Sequence, residues 1–385
     1  MPCLALLRRA YPGARIDWLV DRRFADAVRA HPALDGVIEF DRQRKTRLWP
    51  LLRRLRGGGY GLVVDLQGLA RSGLFAWATR APRRVGFADA RELGWLGVNQ
   101  RVHLPAEDGA GPGGHAIARM RGLLLGAGIG ADASPHAGLT QADLALYPPP
   151  PPPASPIGSA QADPVASAAP LGTEAKTVGE NEKENEGGNE GGGEAENEGG
   201  VCVAVTAQWG CKCWPMERYV RLIERVLDAD AGRGVTVIAA PHEMPGVEAK
   251  LERHLPDALR PRVRTPRTRV GQMMHLLQRA RLLVGNDSAP LHLAVGLGTP
   301  TVSLFGPTDP ARVGPPPASL MARSEAKGWD LRHRVLRAPS AVGQTIHYRQ
   351  HRDDDTLMRE LSVDTVWDAV HASLARAGIP GKMEP

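Results

Sequence analysis

The chain has 385 residues, 42% of them hydrophobic, which is long enough for two domains of ordinary size and a linker. No stretch reaches the ~20 continuous apolar residues of a membrane span, and the N-terminus lacks an apolar signal core. We therefore expect a cytoplasmic protein, with peripheral attachment to the inner face of the membrane as an alternative. The four cysteines fit a reducing compartment, and Cys211-x-Cys213 lacks the second ligand pair of a zinc site.

Charge is unevenly distributed along the chain. Residues 148–153 are six prolines and residues 174–200 are almost wholly Glu, Asn and Gly, so we expect disorder there. The whole chain carries +6 and residues 174–200 carry −7, so the remainder carries +13. A basic surface suits nucleic acid, an anionic membrane or a polyanionic substrate. Because the sequence has no zinc-finger, RRM or helix-turn-helix pattern and only 5% aromatic residues, we expect no nucleic-acid partner.

Apolar periodicity predicts helices and strands that alternate along the chain. Alternation of this kind indicates an α/β protein with doubly wound parallel sheets. The predicted elements are helix 3–10, strand 15–20, helix 22–30, strand 36–40, helix 44–56, strand 61–66, helix 69–80, strand 83–87 and helix 114–126, and then, beyond the linker, strand 201–206, helix 216–228, strand 234–239, strand 281–284, a helix from Ser288, strand 299–305 and helix 363–375.

Residues 281–310 (RLLVGNDSAPLHLAVGLGTPTVSLFGPTDP) are the most informative stretch. They predict a strand, a turn with helix-capping chemistry at 286–288, a helix with Pro290 in its first turn, a second strand and a Gly-Pro turn. The N-terminus of such a helix points its free N–H groups out of the carboxyl edge of the sheet, where α/β proteins hold phosphate. The alternative is an ordinary βαβ unit with a well-capped helix.

The pattern D-S-x-P-L-H-L-A followed by L-F-G-P-T-D-P resembles the signature of the ADP-heptose:lipopolysaccharide heptosyltransferases, glycosyltransferase family 9. The segments LLRRAYPGARIDWLV, VVDLQGLARSG and HAIARMRGLLLGAGI also resemble this family, and the D-L-Q-G-L form is more similar to its heptosyltransferase I branch. The resemblance implies the GT-B fold, in which two Rossmann-like domains face a cleft, here with a disordered insertion between them. The implied domains are an N-terminal acceptor-side domain (1–135), a linker (136–200), a C-terminal nucleotide-sugar-binding domain (201–345) and a C-terminal helix and tail (346–385).

The resemblance also implies roles in donor binding and catalysis. Lys212 belongs to the family's K-x-W-P pattern, so it is expected to contact the donor diphosphate and stabilise the leaving group. Asp287 is expected to contact the heptose, and both residues are predicted to be catalytic. The other residues expected at the donor are Ser288, Ala289 (where the family commonly has Gly), His292, Thr308, Glu243 near the ribose, and Thr268 with Arg267 near the adenine.

Each of these residues also has a purely structural interpretation. Asp65, Gln67 and Gly68 follow a predicted strand and could face the acceptor or form a strand-end turn. Ser288 could cap a helix, and His292 could be a packed helix residue. The basic cluster His347, Arg349, His351 and Arg352 could meet acceptor phosphates or form a solvated loop.

One part of the family pattern has no counterpart in this sequence. The family opens with a strand and a Leu-Gly-Asp loop before the helix that here begins at Met1-Pro2, and that Asp is the family's general base. We expect a start codon placed too late, with a broken gene as the alternative.

The implied function is inverting transfer of heptose from ADP-heptose to the Kdo of the lipopolysaccharide inner core. We expect no cofactor and no metal, a lipid A-Kdo acceptor at the inner membrane surface, and a monomer. The alternatives are a family member with another donor or acceptor sugar, and a non-catalytic nucleotide-sugar-binding remnant that lacks the base.

Overall fold

A computed structural model describes residues 2–104, 114–130, 139–149, 200–344, 346 and 352–376. The N-terminal half alternates strands and helices as predicted, and its strands pair in parallel. Its elements are α1 (Pro2–Ala10), β1 (Asp17–Asp21), α2 (Asp26–Arg29), β2 (Gly36–Phe40), α3 (Leu48–Gly57), β3 (Leu62–Asp65), α4 (Ala70–Ala78), β4 (Arg83–Phe87), β5 (Gln100–Val102) and α5 (Ala116–Gly126).

The strands of this half form two separate sheets among the described residues. β1 pairs with β2, and β3 pairs with β4, which pairs with β5. The core packs α1 and α5 against β4, through Leu6, Leu123, Val85 and Phe87. β5 was not predicted, because three residues are too few to show a period.

The C-terminal half contains one six-stranded parallel sheet with strand order β11-β10-β9-β6-β7-β8. Its elements are β6 (Val201–Ala204), α7 (Met216–Asp228), β7 (Val235–Ile238), α8 (Met244–His254), β8 (Val263–Arg264), α9 (Val270–Arg279), β9 (Leu282–Asn286), α10 (Ala289–Gly296), β10 (Thr301–Phe305), α11 (Pro310–Val313), α12 (Arg323–Ala326), α13 (Trp329–Arg332), β11 (His333–Arg337), α14 (Thr356–Arg359) and α15 (Val363–Arg376).

Helices cover both faces of this sheet, so its central strands are fully buried. One core cluster contains residues of α7, α8 and α15, and a second contains residues of α9 and α10. The chain runs from β6 outward to β8 and then returns to place β9 on the other side of β6. The order therefore reverses between β6 and β9, which is where doubly wound sheets open a crevice at their carboxyl edge.

The structure corrects the predicted start of the linker at residue 136. Residues 139–149 are ordered and include a short helix, α6 (Gln141–Leu144). The amide of Leu139 donates to the carbonyl of Leu320 (2.7 Å), and that of Leu146 donates to Gly296 (2.9 Å). Leu139 and Leu144 are buried in the core cluster of α9 and α10. Because prolines and small residues surround this segment, the buried residues Leu139 and Leu144 were not recognised from the sequence. Residues 150–199 lie outside the described part of the chain.

The two halves contact each other directly. The His115 ring lies 3.1 Å, Nε2 to O, from the carbonyl of Gly314, while its Nδ1 accepts from the Ile117 amide and caps α5. Asp26 on α2 accepts a long hydrogen bond from the Gly271 amide on α9 (3.4 Å). Among the described helices, none is long and apolar enough to cross a bilayer.

Candidate functional site

Asn286, at the end of β9, ties that strand to the loop that follows β6. Its side-chain amide donates to the carbonyl of Val205 (3.2 Å), and its Oδ1 accepts from the Trp214 amide (3.0 Å) and the Tyr219 hydroxyl (2.9 Å). Asn286 and Tyr219 are fully buried. From the sequence Asn286 is predicted only to lie in a turn, because a side chain that bridges two strand ends leaves no local pattern. This network fixes the loop that carries Lys212 at the reversal of strand order.

Lys212 and Asp287 form an ion pair across that crevice. Lys212 Nζ lies 2.7 Å from Asp287 Oδ2, and the two side chains are 13% and 7% exposed. The hydroxyl of Thr308 donates to the same oxygen (2.9 Å), and His292 Nε2 lies 3.5 Å from Oδ1. The structure therefore brings Lys212, predicted from the K-x-W-P pattern, together with Asp287, His292 and Thr308, predicted from the segment 281–310.

The electrostatics of this cluster keep Asp287 ionised. Burial alone would raise its pKa, but His292 and the charge and hydrogen bond of Lys212 outweigh burial and lower the pKa to about 2. Asp287 accepts a hydrogen bond from one of the three N–H donors of the Lys212 ammonium. Asp287 thus holds a positive charge at a fixed point of the carboxyl edge.

The N-terminus of α10 lies directly beside this pair. Ser288 is the N-cap residue but makes no side-chain capping hydrogen bond, and its buried Oγ has no hydrogen-bond partner among the described residues. Ala289 begins the helix and is exposed, and Pro290 lies in the first turn as predicted. A helix start offers unpaired N–H groups and a positive dipole end. With Lys212, this geometry suits a phosphate group.

Asp309, the residue after Thr308, caps the next helix. Its Oδ1 caps α11 by accepting from the Ala311 amide (3.2 Å) and also accepts from Arg337 (3.0 Å).

A cavity of about 460 Å³ opens at the carboxyl ends of β6 and β7. Its lining includes Thr206, Pro215, Glu217, Glu243 and Lys250. Glu243 directly precedes α8 and lines this cavity, and a contact with the ribose would require such a concave space. Thr268 lies farther along this edge, after β8, and no hydrogen bond of the described residues joins it to Lys212 or Asp287. Its neighbour Arg267 pairs with Glu248 (2.7 Å).

The acceptor-side residues form a tight turn after β3. Asp65 is buried, and its Oδ1 accepts from the amides of Gln67 (2.9 Å) and Gly68 (3.0 Å) while its Oδ2 accepts from Ser72 Oγ (2.8 Å). Gly68 has φ +63°, which favours glycine. The contacts of Asp65 support the strand-end turn that the sequence left open as an alternative. Gln67 is exposed at this edge.

The predicted basic cluster falls mostly outside the described residues, which exclude His347, Arg349 and His351. Arg352 is described: its guanidinium lies over the ring of Trp209 (4.5 Å), and its carbonyl accepts from the Cys211 amide (2.7 Å). None of the four cysteines, all of which are described, forms a disulfide bond. Across the described ranges, no group of three or more His, Cys, Asp or Glu side chains is arranged to hold a metal ion.

Comparison with known proteins connects this geometry to a family. The profile of glycosyltransferase family 9 (heptosyltransferase) matches residues 48–144 and 166–334. Lipopolysaccharide heptosyltransferase 1 of Pseudomonas aeruginosa is 29% identical over 331 residues, 82% of this chain and 76% of the relative. The Escherichia coli K12 protein of the same name is 26% identical over 330 residues, 82% of this chain and 85% of the relative.

Solved structures share the fold. E. coli heptosyltransferase WaaC with ADP superposes with a TM-score of 0.63 at 20% identity, covering 97% of this chain and 94% of that chain. The family 9 glycosyltransferase of Veillonella parvula gives 0.64 at 18% identity, covering 97% and 92%. The fold is therefore GT-B, as predicted. With a family profile matched over more than half its length, the chain belongs to glycosyltransferase family 9, the heptosyltransferases, and is a glycosyltransferase.

Proposed function

We propose that this protein transfers heptose from ADP-heptose to a Kdo residue of the lipopolysaccharide inner core, with inversion at the anomeric carbon. The observation that carries the proposal is the Lys212–Asp287 pair beside the N-terminus of α10, at the reversal of strand order. The names of the relatives, lipopolysaccharide heptosyltransferase 1, support the sugar and the pathway.

The donor diphosphate would bind between Lys212 and the start of α10. The helix N–H groups and Ser288 Oγ, which has no partner within the described part of the chain, offer donors, and Lys212 supplies a positive charge. The cavity lined by Glu243 suits the adenosine, because a carboxylate accepts hydrogen bonds from ribose hydroxyls. Thr268 and the loop of Arg267 would then border the adenine.

In the reaction, an acceptor hydroxyl oxygen bonds to the anomeric carbon while the bond from that carbon to the diphosphate breaks. Negative charge develops on the departing phosphate, and Lys212 stabilises it at a position fixed by Asp287 and Thr308. Because Lys212 supplies this positive charge from the protein itself, we propose that the reaction needs no metal. The hydroxyl proton goes to a general base, which the family resemblance places in a loop before α1 and which we assign to no residue of this sequence.

The first prediction tests Lys212. Lys212→Ala should weaken ADP binding by roughly 1.5 to 3 kcal/mol, the range for a hydrogen bond to a charged group. Calorimetry with ADP in EDTA measures this directly, and Lys327→Ala, which removes an exposed lysine of the same half, is the matched control.

Transfer is measured as product mass and ADP release with ADP-heptose and Kdo-lipid A. Equal ADP affinity in Lys212→Ala and the control, or binding that requires Mg²⁺, would remove Lys212 and α10 from the donor site. If the protein transfers sugar only from a nucleotide sugar other than ADP-heptose, the donor site stands and the proposed donor is wrong.

A further inference from the structure

The N-terminal half carries a cluster of large apolar side chains that face solvent. Leu74 (39% exposed) and Trp77 (59%) are three residues apart on α4, so they share one side of that helix. Leu93 (62%) and Leu96 (60%) belong to the turn that packs across α4. We call these four residues the α4 face. A group of exposed large apolar residues marks an interaction site more often than isolated exposed leucines do.

The backbone of the turn that carries Leu93 and Leu96 packs closely against α4. The turn at 94–97 approaches α4 so closely that a β-carbon added to Gly73 or to Gly97 would overlap backbone atoms of the other segment. Leu93 has φ +61°, a left-handed conformation that costs a leucine about 1 kcal/mol. The fold therefore maintains an unfavourable backbone conformation at a residue whose apolar side chain points into solvent.

The segment of chain that carries the α4 face is strongly basic. Residues 42–101 contain thirteen Lys and Arg against Asp65, Asp89 and Glu92, a net charge of +10. Arg56 and Arg80 line a cavity of about 270 Å³ together with Trp77. On α3, Leu51, Leu52 and Leu55 pack inward, so Trp49 (79% exposed), Arg53 and Arg56 lie on its outer side.

We propose that the α4 face docks this protein on an anionic phospholipid surface. Trp and Leu side chains partition into the boundary between headgroups and acyl chains, and arginines around them bind lipid phosphates. Charge selects this occupant over a second copy of the chain, since two faces with the same high positive charge repel each other.

The position of the α4 face also fits the lipid-anchored acceptor of the proposed function, on which this step depends. The Arg91 amide donates to the carbonyl of Gly68 (2.9 Å), so the turn that carries Leu93 is joined to the Gln67–Gly68 loop. Docking by the α4 face therefore brings the acceptor-side turn close to the membrane surface.

The test is co-sedimentation of the full chain with vesicles that contain about one third phosphatidylglycerol in phosphatidylethanolamine, against pure phosphatidylcholine. The wild-type protein should bind the anionic vesicles, and the double variant Leu93→Asn/Leu96→Asn should bind them about tenfold less. Asparagine tolerates the left-handed conformation of residue 93, so the variant should stay folded. Leu331→Asn/Val342→Asn removes two exposed apolar side chains from the C-terminal half and should bind as wild type.

Three outcomes would overturn the proposal: no binding of wild type to anionic vesicles, equal binding of the two double variants, or a dimer of wild type that Leu93→Asn/Leu96→Asn dissociates. Transfer assays separate this proposal from the proposed function. If both are right, the α4-face variant loses transfer to vesicle-embedded acceptor but keeps transfer to a soluble Kdo acceptor. If the wild type transfers heptose to neither acceptor, the heptose-transfer proposal is refuted. The vesicle-binding assay then still tests the membrane-docking proposal.

Discussion

At the scale of single residues, Asp287 has a position that motif comparison could not reveal. The resemblance implied a contact with the heptose, whereas the structure directs Oδ2 of this carboxylate at Lys212 and Thr308 and places Oδ1 near His292. A buried carboxylate with these neighbours fixes the position of the Lys212 ammonium. We therefore propose that Asp287 is a positioning residue for Lys212. A contact with the sugar would need a remaining lone pair of the same carboxylate.

The second prediction separates these roles with Asp287→Asn, which keeps the side-chain shape. Removal of a negative charge beside the diphosphate should leave ADP affinity equal or higher, while transfer should fall by about tenfold or more because Lys212 loses its fixed position. Calorimetry with ADP and initial rates of transfer provide the two readouts. Weaker ADP binding with an unchanged rate would contradict the positioning role.

The stability of the same variant, compared with wild type, should depend on pH. The folded pKa of Asp287 is about 2, below the ~3.9 of an unfolded chain, so its ionised form stabilises the fold. This contribution is complete above pH ~4 and is lost as the pH falls towards 2. Acid unfolding curves of wild type and Asp287→Asn should therefore converge as the pH falls through that window.

At the scale of elements, the long periodic segments could be predicted from the sequence and the short ones could not. Helix 216–228 is confirmed at both ends, because its apolar positions repeat with the helical period and Pro215 precedes it. β8 has two residues and α11 has four, too few to show a period. The strand order was also beyond prediction, since it depends on contacts between segments distant in sequence.

The candidate site divides in the same way. The start of α10 follows from a local pattern, since a strand end, a cap and an early proline leave a sequence signal. Lys212 and Asp287 were assigned instead from the resemblance to a family. The buried bridge from Asn286 to Tyr219 joins segments 67 residues apart, so no local pattern could reveal it.

The third prediction concerns α6, which the sequence analysis assigned to the linker. Leu144 is 5% exposed within the core of α9 and α10. Leu144→Ala should lower the free energy of unfolding by about 2 to 3 kcal/mol, the usual cost of truncating a buried leucine. Urea denaturation measures the loss, and Leu331→Ala at an exposed position is the control. If the two variants are equally stable, residues 139–149 do not pack as described.

At the scale of the whole molecule, residues 150–199 connect two segments that are both anchored in the C-terminal half. The Pro149 carbonyl lies 2.6 Å from the ring Nε2 of His275, and the Gly200 carbonyl accepts from the Arg281 amide (2.9 Å). His275 lies in the middle of α9, and Arg281 lies just after that helix ends, so only the second half of α9 separates the two anchors. A helix advances ~1.5 Å per residue, which puts these anchors within reach of a short connection.

The last prediction follows from this arrangement. Replacing residues 151–199 with about twelve Gly and Ser residues should leave ADP affinity unchanged and stability within about 1 kcal/mol, because closure entropy varies only with the logarithm of loop length. Removal of residues 139–199 should instead give unstable protein, since it strips Leu139 and Leu144 from the core. Soluble yield, urea denaturation and calorimetry with ADP compare the two deletions with wild type. If the shorter deletion also fails to fold, the acidic segment contributes to the fold; if both deletions fold equally well, the boundary at residue 149 is wrong.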